Sequence, residues 1–423
     1  MKEECKRRIL WLKSAIPYPL DQGMNFLTNH LFRLLRAEFE IEYVCLADLK
    51  EDAQKIAAVR ELVSVTPIQR PNRISLWHRL YHVGWLRVSQ MWQYTPGEVY
   101  YQVPAVLKKA VREKMASEAY DLLFMEYWYF GELGDWLADF NVAALMHDNE
   151  MDRIESELKT IPGEWQRRNL QKKVDYVFRA HLSLVQRARR VFFFNEDDRR
   201  SFFKRAGTEF PNAQLFPYYY QFGEVPKVPR QGDSVIFSGK MSYLPNIVAA
   251  QKLANGIWPA VRARRPEAKL ILAGNNPPPE VRKLAEIPGV EVTGFVEDLR
   301  ALVASAAVYV APIEIGGGLK IKLMEAAELE SAIVATPFAF RGFGVEPQRD
   351  YLPANTNAEF ADAVVRLLGS PQERALLGRN ARAAVFNQFS SDAVKAKVVG
   401  LFHDLAAGKP SGDRATARCA LPS

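Results

Sequence analysis

Apolar residues in this chain fall into short unbroken runs, separated by longer stretches in which they recur every three or four positions. The runs in the first half lie at residues 8–13, 41–46, 122–125, 142–146 and 191–194. Each is too short for a typical helix and does not alternate with polar residues. That pattern predicts strands buried on both faces of a parallel sheet. Residues 25–35 carry Phe26, Leu27, Leu31, Leu34 and Leu35, a helical spacing. The second half repeats the theme. Strands are predicted at 235–237, 269–273, 290–293, 308–311 and 332–335, and helices at 246–264, 280–286 and 299–305. Strand–helix alternation in two blocks predicts two α/β domains. Ligands of such sheets bind outside the strands' C-terminal ends.

The 423 residues exceed one ordinary core and suit two such domains. We place the first at 1–215 and the second at 231–389. The linker, at 216–230, is drawn from the Pro-rich stretch 211–229, which also holds Tyr218, Tyr219 and Tyr220. Residues 408–423, rich in Lys, Pro, Ser, Gly and Ala, are predicted to be a disordered tail.

Composition excludes more than it assigns. Hydrophobic content of 48% and charged content of 25% are those of a soluble globular protein. Residues 1–8 are charged and only a short apolar stretch, 9–12, follows, so no secretory signal is expected. No apolar run has the length needed to cross a bilayer. Cys5, Cys45 and Cys419 are odd in number and far apart, which predicts neither disulfides nor a metal site and points to the cytoplasm. A net charge of +7 permits phosphorylated substrates or anionic lipid as partners. Nothing resembles a nucleic-acid reader.

The densest chemical signal is the segment GGGLKIKLME, residues 316–325, directly after the run at 308–311. Gly316, Gly317 and Gly318 allow a tight turn and close approach of backbone to a ligand. A helix opening there and running to about Glu330 offers unpaired N–H groups to a phosphate. Lys320 and Lys322 add positive charge, and Glu325 offers a carboxylate to sugar hydroxyls.

These residues resemble those of the family-4 retaining glycosyltransferases, which have the two-domain GT-B fold. The similar blocks stand in the family's order. They are FSGKM with Pro245 and Asn246, IWP at 257–259, LILAG at 270–274, VEVTGFVED at 290–298, the apolar run to Pro312, GGGLKIKLMEA, and AIVAT at 332–336. The first half is similar more loosely, through YPLDQG at 18–23 and MHDNE at 146–150. The pattern is especially similar to bacterial transferases of exopolysaccharide and cell-surface glycan assembly. The resemblance implies two Rossmann-like parallel-sheet domains facing each other across a cleft. It implies a nucleoside-diphosphate sugar held by the second domain and a glycan, lipid-linked or small-molecule acceptor held mainly by the first. It also implies a helix near 390–407 packing back onto the first domain. No resident cofactor is implied, and retention without a metal is. The sequence holds no Asp-x-Asp motif.

The resemblance carries over to single positions. Glu325 matches the second glutamate of the family's E-x7-E motif, a ribose clamp. Gly317 stands where the first is expected, a departure that leaves the contact to the donor sugar to backbone N–H groups or to Glu314. Gly316, Gly317, Gly318, Leu319 and Lys320 form the diphosphate loop. Lys320 and Lys322 diverge by about 200° around a regular helix, so both cannot face one phosphate; Lys320, nearer the helix start, is assigned to it, and Lys322 holds the loop or packs its stem. Lys240 matches a second basic diphosphate contact, and Gly23 a small residue that lets backbone approach the donor. His147 matches a histidine at the cleft, placed to bond a sugar hydroxyl. The competing reading of His147 is a structural or capping histidine. Glu150 either orients the acceptor or sits in the first turn of a helix, where acids are favoured. The rival functions are another GT-B enzyme, such as a sugar-nucleotide epimerase or phosphorylase, and a non-catalytic nucleotide-sugar-binding scaffold.

Two further patterns remain. His78 and His82 have the i, i+4 spacing of zinc ligands, but Arg79 replaces the glutamate of the protease motif, so no metal site is expected. Residues 55–114 hold ten Lys and Arg against three acids, with Trp77, Tyr81, Trp85 and Trp92 near one helical stripe. Such a segment, 70–114, suits an anionic membrane surface and a peripheral place on the inner face of the plasma membrane. A core-facing aromatic stripe with solvated arginines is the alternative.

Overall fold

The computed structural model describes residues 6–18, 23–71, 97–147, 150–158, 163–316 and 318–408. The chain divides into two compact units. One runs through Tyr220 and regains the chain from Ala393 onward; the other is Gln221–Asp392.

The sheet of the first unit has seven parallel strands: β1 (Arg7–Leu12), β2 (Phe39–Ala47), β3 (Ser64–Gln69), β4 (Leu122–Glu126), β5 (Val142–Met146), β6 (Arg190–Phe193) and β7 (Ala213–Leu215). Their order is β3-β2-β1-β4-β5-β6-β7. Every residue of β4 and β5 is buried, which explains their unbroken apolar runs. Trp11 of β1 packs against Phe32, Phe124 and Phe402, with centroids 5.1, 4.4 and 5.6 Å away. Phe402 belongs to the helix Asp392–Ala406, and Asn141 Nδ2 donates to the Leu405 carbonyl at 2.6 Å. That helix is thereby part of the first unit's core.

The second unit has six parallel strands: β8 (Gln231–Ser238), β9 (Lys269–Ala273), β10 (Val290–Gly294), β11 (Ala306–Ala311), β12 (Ala332–Ala335) and β13 (Leu352–Pro353). Their order is β10-β9-β8-β11-β12-β13. Both sheets are therefore wound alike: order reverses between β1 and β4 in one, and between β8 and β11 in the other. Those two points are where α/β sheets take ligands.

The helix expected at 246–264 forms as Leu244–Gln251, a π-helical turn Lys252–Ile257, and Trp258–Arg264. Pro259 has no N–H for the helical ladder, and the widened turn upstream accommodates its ring. Ala213–Leu215 pairs with β6, and Tyr218, Tyr219 and Tyr220 are buried.

Residues 72–96, which carry the aromatic stripe with His78 and His82, lie outside the described residues, as does the tail from 409. Of the basic segment, the helix Ala105–Ser117 is described, and it buries Leu107, Val111 and Met115. No helix among the described residues is long and apolar enough to cross a membrane.

Candidate functional site

In the second unit, strand ends at the switch point are shaped by glycines. Gly239 follows β8 with φ +152°, and Gly274 follows β9 with φ +147°. A Cβ on Gly274 would lie 1.8 Å from the Gly239 carbonyl oxygen. Only glycine allows two strand ends to approach so closely. Lys240 is exposed, and its carbonyl accepts from Tyr243 N–H at 3.1 Å and Asn246 Nδ2 at 2.8 Å.

The loop after β11 lies against this corner. Gly316 has φ +103°, and a Cβ there would meet Pro245 Cγ at 3.2 Å and Tyr243 Oη at 3.5 Å. Gly318 has φ +66°. Gly317 lies outside the described residues. Lys320 Nζ donates to the carbonyls of Gly316 at 3.0 Å and Gly318 at 2.8 Å, and lies 4.9 Å from the Phe338 ring centroid. Its ammonium therefore closes the loop on itself. Glu314 is exposed and paired with Lys252 at 2.5 Å.

The helix begins at Ile321, not at the glycines, and ends at Glu328. Leu319 and Lys320 precede its first turn, so a helical-wheel argument does not relate Lys320 to Lys322. Lys322 Nζ donates to Asn246 Oδ1 and lies 4.6 Å from the Phe237 centroid. A Cβ on Gly239 would come within 2.6 Å of that Nζ. Lys322, rather than Lys320, thus reaches the turn after β8. Burial pulls Lys322 down to about 7 against the opposing pull of Glu325. Glu325, one turn on, is half-buried, and no hydrogen bond reaches its carboxylate from the described residues. Burial and the neighbouring Glu328 push it up to about 7. Glu328 is fully buried, with Arg300 donating at 2.8 and 3.1 Å and the Gly223 N–H also bonded.

In the first unit the predicted residues sit at the same edge of their sheet. Gly23 opens the helix Gly23–Leu35. His147 directly follows β5, but its imidazole is buried at 3% exposure. His147 Nε2 lies 2.7 Å from Glu126 Oε2, and the ring packs 4.5 Å from Tyr127 and 5.4 Å from Phe194. Glu150 is the first residue of the helix Glu150–Leu158 and pairs with Lys173 at 3.3 Å. Both side chains thus have structural partners in their own chain.

Sequence reasoning missed the group that organises this edge. Glu126, the last residue of β4, is wholly buried. It accepts from Trp11 Nε1 at 2.6 Å and Thr28 Oγ1 at 2.9 Å, and pairs with Lys13 Nζ at 3.1 Å. Lys13 follows β1 and also donates to Thr28 Oγ1 at 2.7 Å and the Met24 carbonyl at 3.1 Å. Burial alone pushes both groups toward neutrality. It pulls Lys13 below its ordinary value, but in Glu126 the Lys13 charge and the His147 bond outweigh it and hold the carboxyl at about 2. Each charge stands at the end of an apolar strand in the sequence, but only the strand order makes those strands neighbours, so that the carboxylate and the ammonium meet. No group of three or more His, Cys, Asp or Glu among the described residues is placed to hold a metal ion.

Residues 232–370 match the family model described as Glycosyl transferases group 1. Over that segment the second unit is similar to the group 1 glycosyl transferases. The group 1 match stops there, but structural likeness extends over the whole chain, which has the GT-B fold. Sucrose-phosphate synthase from Thermosynechococcus elongatus superposes with a TM-score of 0.71 at 17% identity, covering 96% of this chain and 100% of that one. HepE from Anabaena, in complex with UDP-glucose, gives 0.64 at 14% identity over 94% and 99%. A mutant of S. aureus TarM, in complex with fondaparinux, α-GlcNAc-glycerol and UDP, gives 0.66 at 10% identity over 95% and 100%. Comparison with curated protein sequences gives no match. The residues just described after β8 and β11 and in the helix Ile321–Glu328 all fall inside the matched segment.

Proposed function

We propose that this protein is a retaining, metal-independent glycosyltransferase. It moves a hexose from a nucleoside-diphosphate sugar to a glycan, lipid-linked or small-molecule acceptor in surface polysaccharide biosynthesis. The observation that carries this reading is Glu325: a half-buried carboxylate without a hydrogen-bond donor among the described residues, one turn from a glycine loop and from Lys322. A ribose diol supplies two donors to such a carboxylate. The backbone N–H groups of the 316–320 loop, with Lys322 and Lys240, face the diphosphate. The leaving nucleoside diphosphate gains charge as the glycosidic bond breaks, and cations and N–H groups aimed there favour the transition state over the ground state. Glu314 is engaged with Lys252, which favours the backbone N–H groups over Glu314 for the contact that the first glutamate makes in the family. In the retaining step the leaving phosphate itself accepts the acceptor's proton. Binding of UDP-glucose by HepE and of UDP by TarM supports a nucleotide donor; the glycan and glycoside bound to TarM support a carbohydrate acceptor. The protein works in the cytoplasm, at the inner face of the membrane when its acceptor is lipid-linked.

Gly317 favours one second reading, a nucleotide-sugar-binding protein without turnover. A thermal-shift screen against UDP-, GDP- and ADP-sugars, followed by measurement of nucleoside diphosphate release with and without acceptors, separates the two. Transfer predicts stabilisation by one nucleotide class and acceptor-dependent release. Stabilisation without release across a broad acceptor panel favours the second reading, and no stabilisation by any nucleotide contradicts both.

A further inference from the structure

The buried cluster of the first unit fixes more than a fold contact. An ionised carboxylate has only acceptors. Glu126 meets the Trp11 indole N–H, the Thr28 hydroxyl, the Lys13 ammonium and His147 Nε2, all within 3.1 Å. A lone pair on Nε2 would face a lone pair on Oε2 at 2.7 Å, so the proton sits on Nε2 and Nδ1 becomes the ring's acceptor nitrogen. Lys13 already balances the carboxylate, so the cluster is neutral without a charge on His147. The next residue, Tyr127, has φ +94° and ψ +149°, a region almost restricted to glycine. Its ring lies 5.1 Å from Tyr129, 4.5 Å from His147 and 5.8 Å from Lys13 Nζ. Strain of that kind persists only where the surroundings over-determine it.

We propose that Glu126, balanced by Lys13, is a positioning residue that locks the orientation and Nε2–H tautomer of His147, which directly follows β5. Lys13 extends the same control to the opening of the helix Gly23–Leu35 through the Met24 carbonyl. The catalytic consequence rests on the glycosyltransferase reading: the end of β5 and the opening of that helix are the acceptor-side edge of the first unit. The tautomer itself does not rest on it.

The test uses the full chain and the double variant Lys13→Met/Glu126→Gln, which removes both buried charges together and so spares the fold a lone ion. A glutamine amide that donates to Nε2 moves the imidazole proton to Nδ1. Nitrogen-15 NMR of labelled histidine, assigned with His147→Gln, reads the tautomer directly. The expected result is Nε2–H in the unaltered protein and Nδ1–H in the double variant. Affinity for UDP, GDP or ADP should stay within about twofold while the transfer rate falls about 100-fold, the lower end of what losing one positioned hydrogen-bonding group costs. A purely structural role predicts that rate follows stability, so a stable double variant with full transfer rate overturns the proposal. So does an Nδ1–H tautomer in the unaltered protein. If the unaltered protein transfers no sugar, the function above fails, and the tautomer measurement still decides this claim.

Discussion

The Gly239 carbonyl oxygen lies 1.8 Å from where a Cβ on Gly274 would stand, so β8 and β9 end in backbone contact beside the switch point of the second sheet. A side chain at 274 meets backbone, not a flexible neighbour, and a φ of +147° that L-residues rarely adopt. Gly274→Ala should therefore destabilise the protein by about 2 kcal/mol or more and weaken nucleotide binding by moving the Gly239 turn. Urea unfolding checks the first effect and nucleotide titration the second. A variant with an unchanged midpoint and affinity would show that this corner is not rigid.

Glu325→Ala should weaken nucleotide binding by about 1–3 kcal/mol, the range for a lost charged hydrogen bond. Calorimetric titration with UDP, GDP and ADP measures it. Glu314→Ala serves as the contrast, because Glu314 is engaged with Lys252 on the surface. Equal losses in both variants would argue against a specific ribose contact.

Nucleotide affinity should depend on pH through Lys322. Its ammonium titrates at about 7 in the free protein because burial disfavours the charge. A bound diphosphate favours the protonated form, so affinity should fall as pH rises above 7, by at most about tenfold per pH unit. Lys322→Met should remove that fall and lower the affinity at pH 6, leaving only the opposite rise expected as Glu325, also held at about 7, ionises. An identical pH dependence in the variant would take Lys322 out of the phosphate site.

The Glu126 cluster has the opposite kind of signature, in stability. The carboxyl is held at about 2, well below its ordinary value of about 4.3. Its contribution is fully present above that ordinary value and is lost as pH falls through about 2. Glu126→Gln alone leaves Lys13 buried without its counter-ion and should cost about 3–5 kcal/mol at neutral pH. The deficit should shrink in acid, and Lys13→Met/Glu126→Gln should recover most of it. Denaturant unfolding at neutral and acid pH gives both numbers. A double variant as unstable as the single one would refute the charge balance.

The central strands of both sheets were legible because burial on both faces leaves unbroken apolar runs, as in β4 and β11. The strands missed, β3, β7 and β13, are all edges. β3 contains Pro67 and β13 contains Pro353, and an edge tolerates a residue that cannot donate to a ladder. The glycine loop was legible as a ligand-facing turn, but the helix start was placed too early. Lys320 turns back onto the loop carbonyls, and nothing local in the sequence distinguishes that from a phosphate contact. Glu126 and Lys13 were invisible for a different reason. They lie far apart in the chain, and only the strand order β1-β4-β5 brings Lys13, Glu126 and His147 to one edge. A lone histidine after a strand looks the same whether it faces a sugar or a buried carboxylate.

The account depends most on a nucleotide seated against the loop 316–320. A crystal structure of the protein soaked with the nucleoside-diphosphate sugar that stabilises it most tests this directly. The prediction is a diphosphate against the backbone N–H groups of that loop and Lys322, with both ribose hydroxyls donating to Glu325. A nucleotide bound elsewhere, with Glu325 untouched, would contradict it.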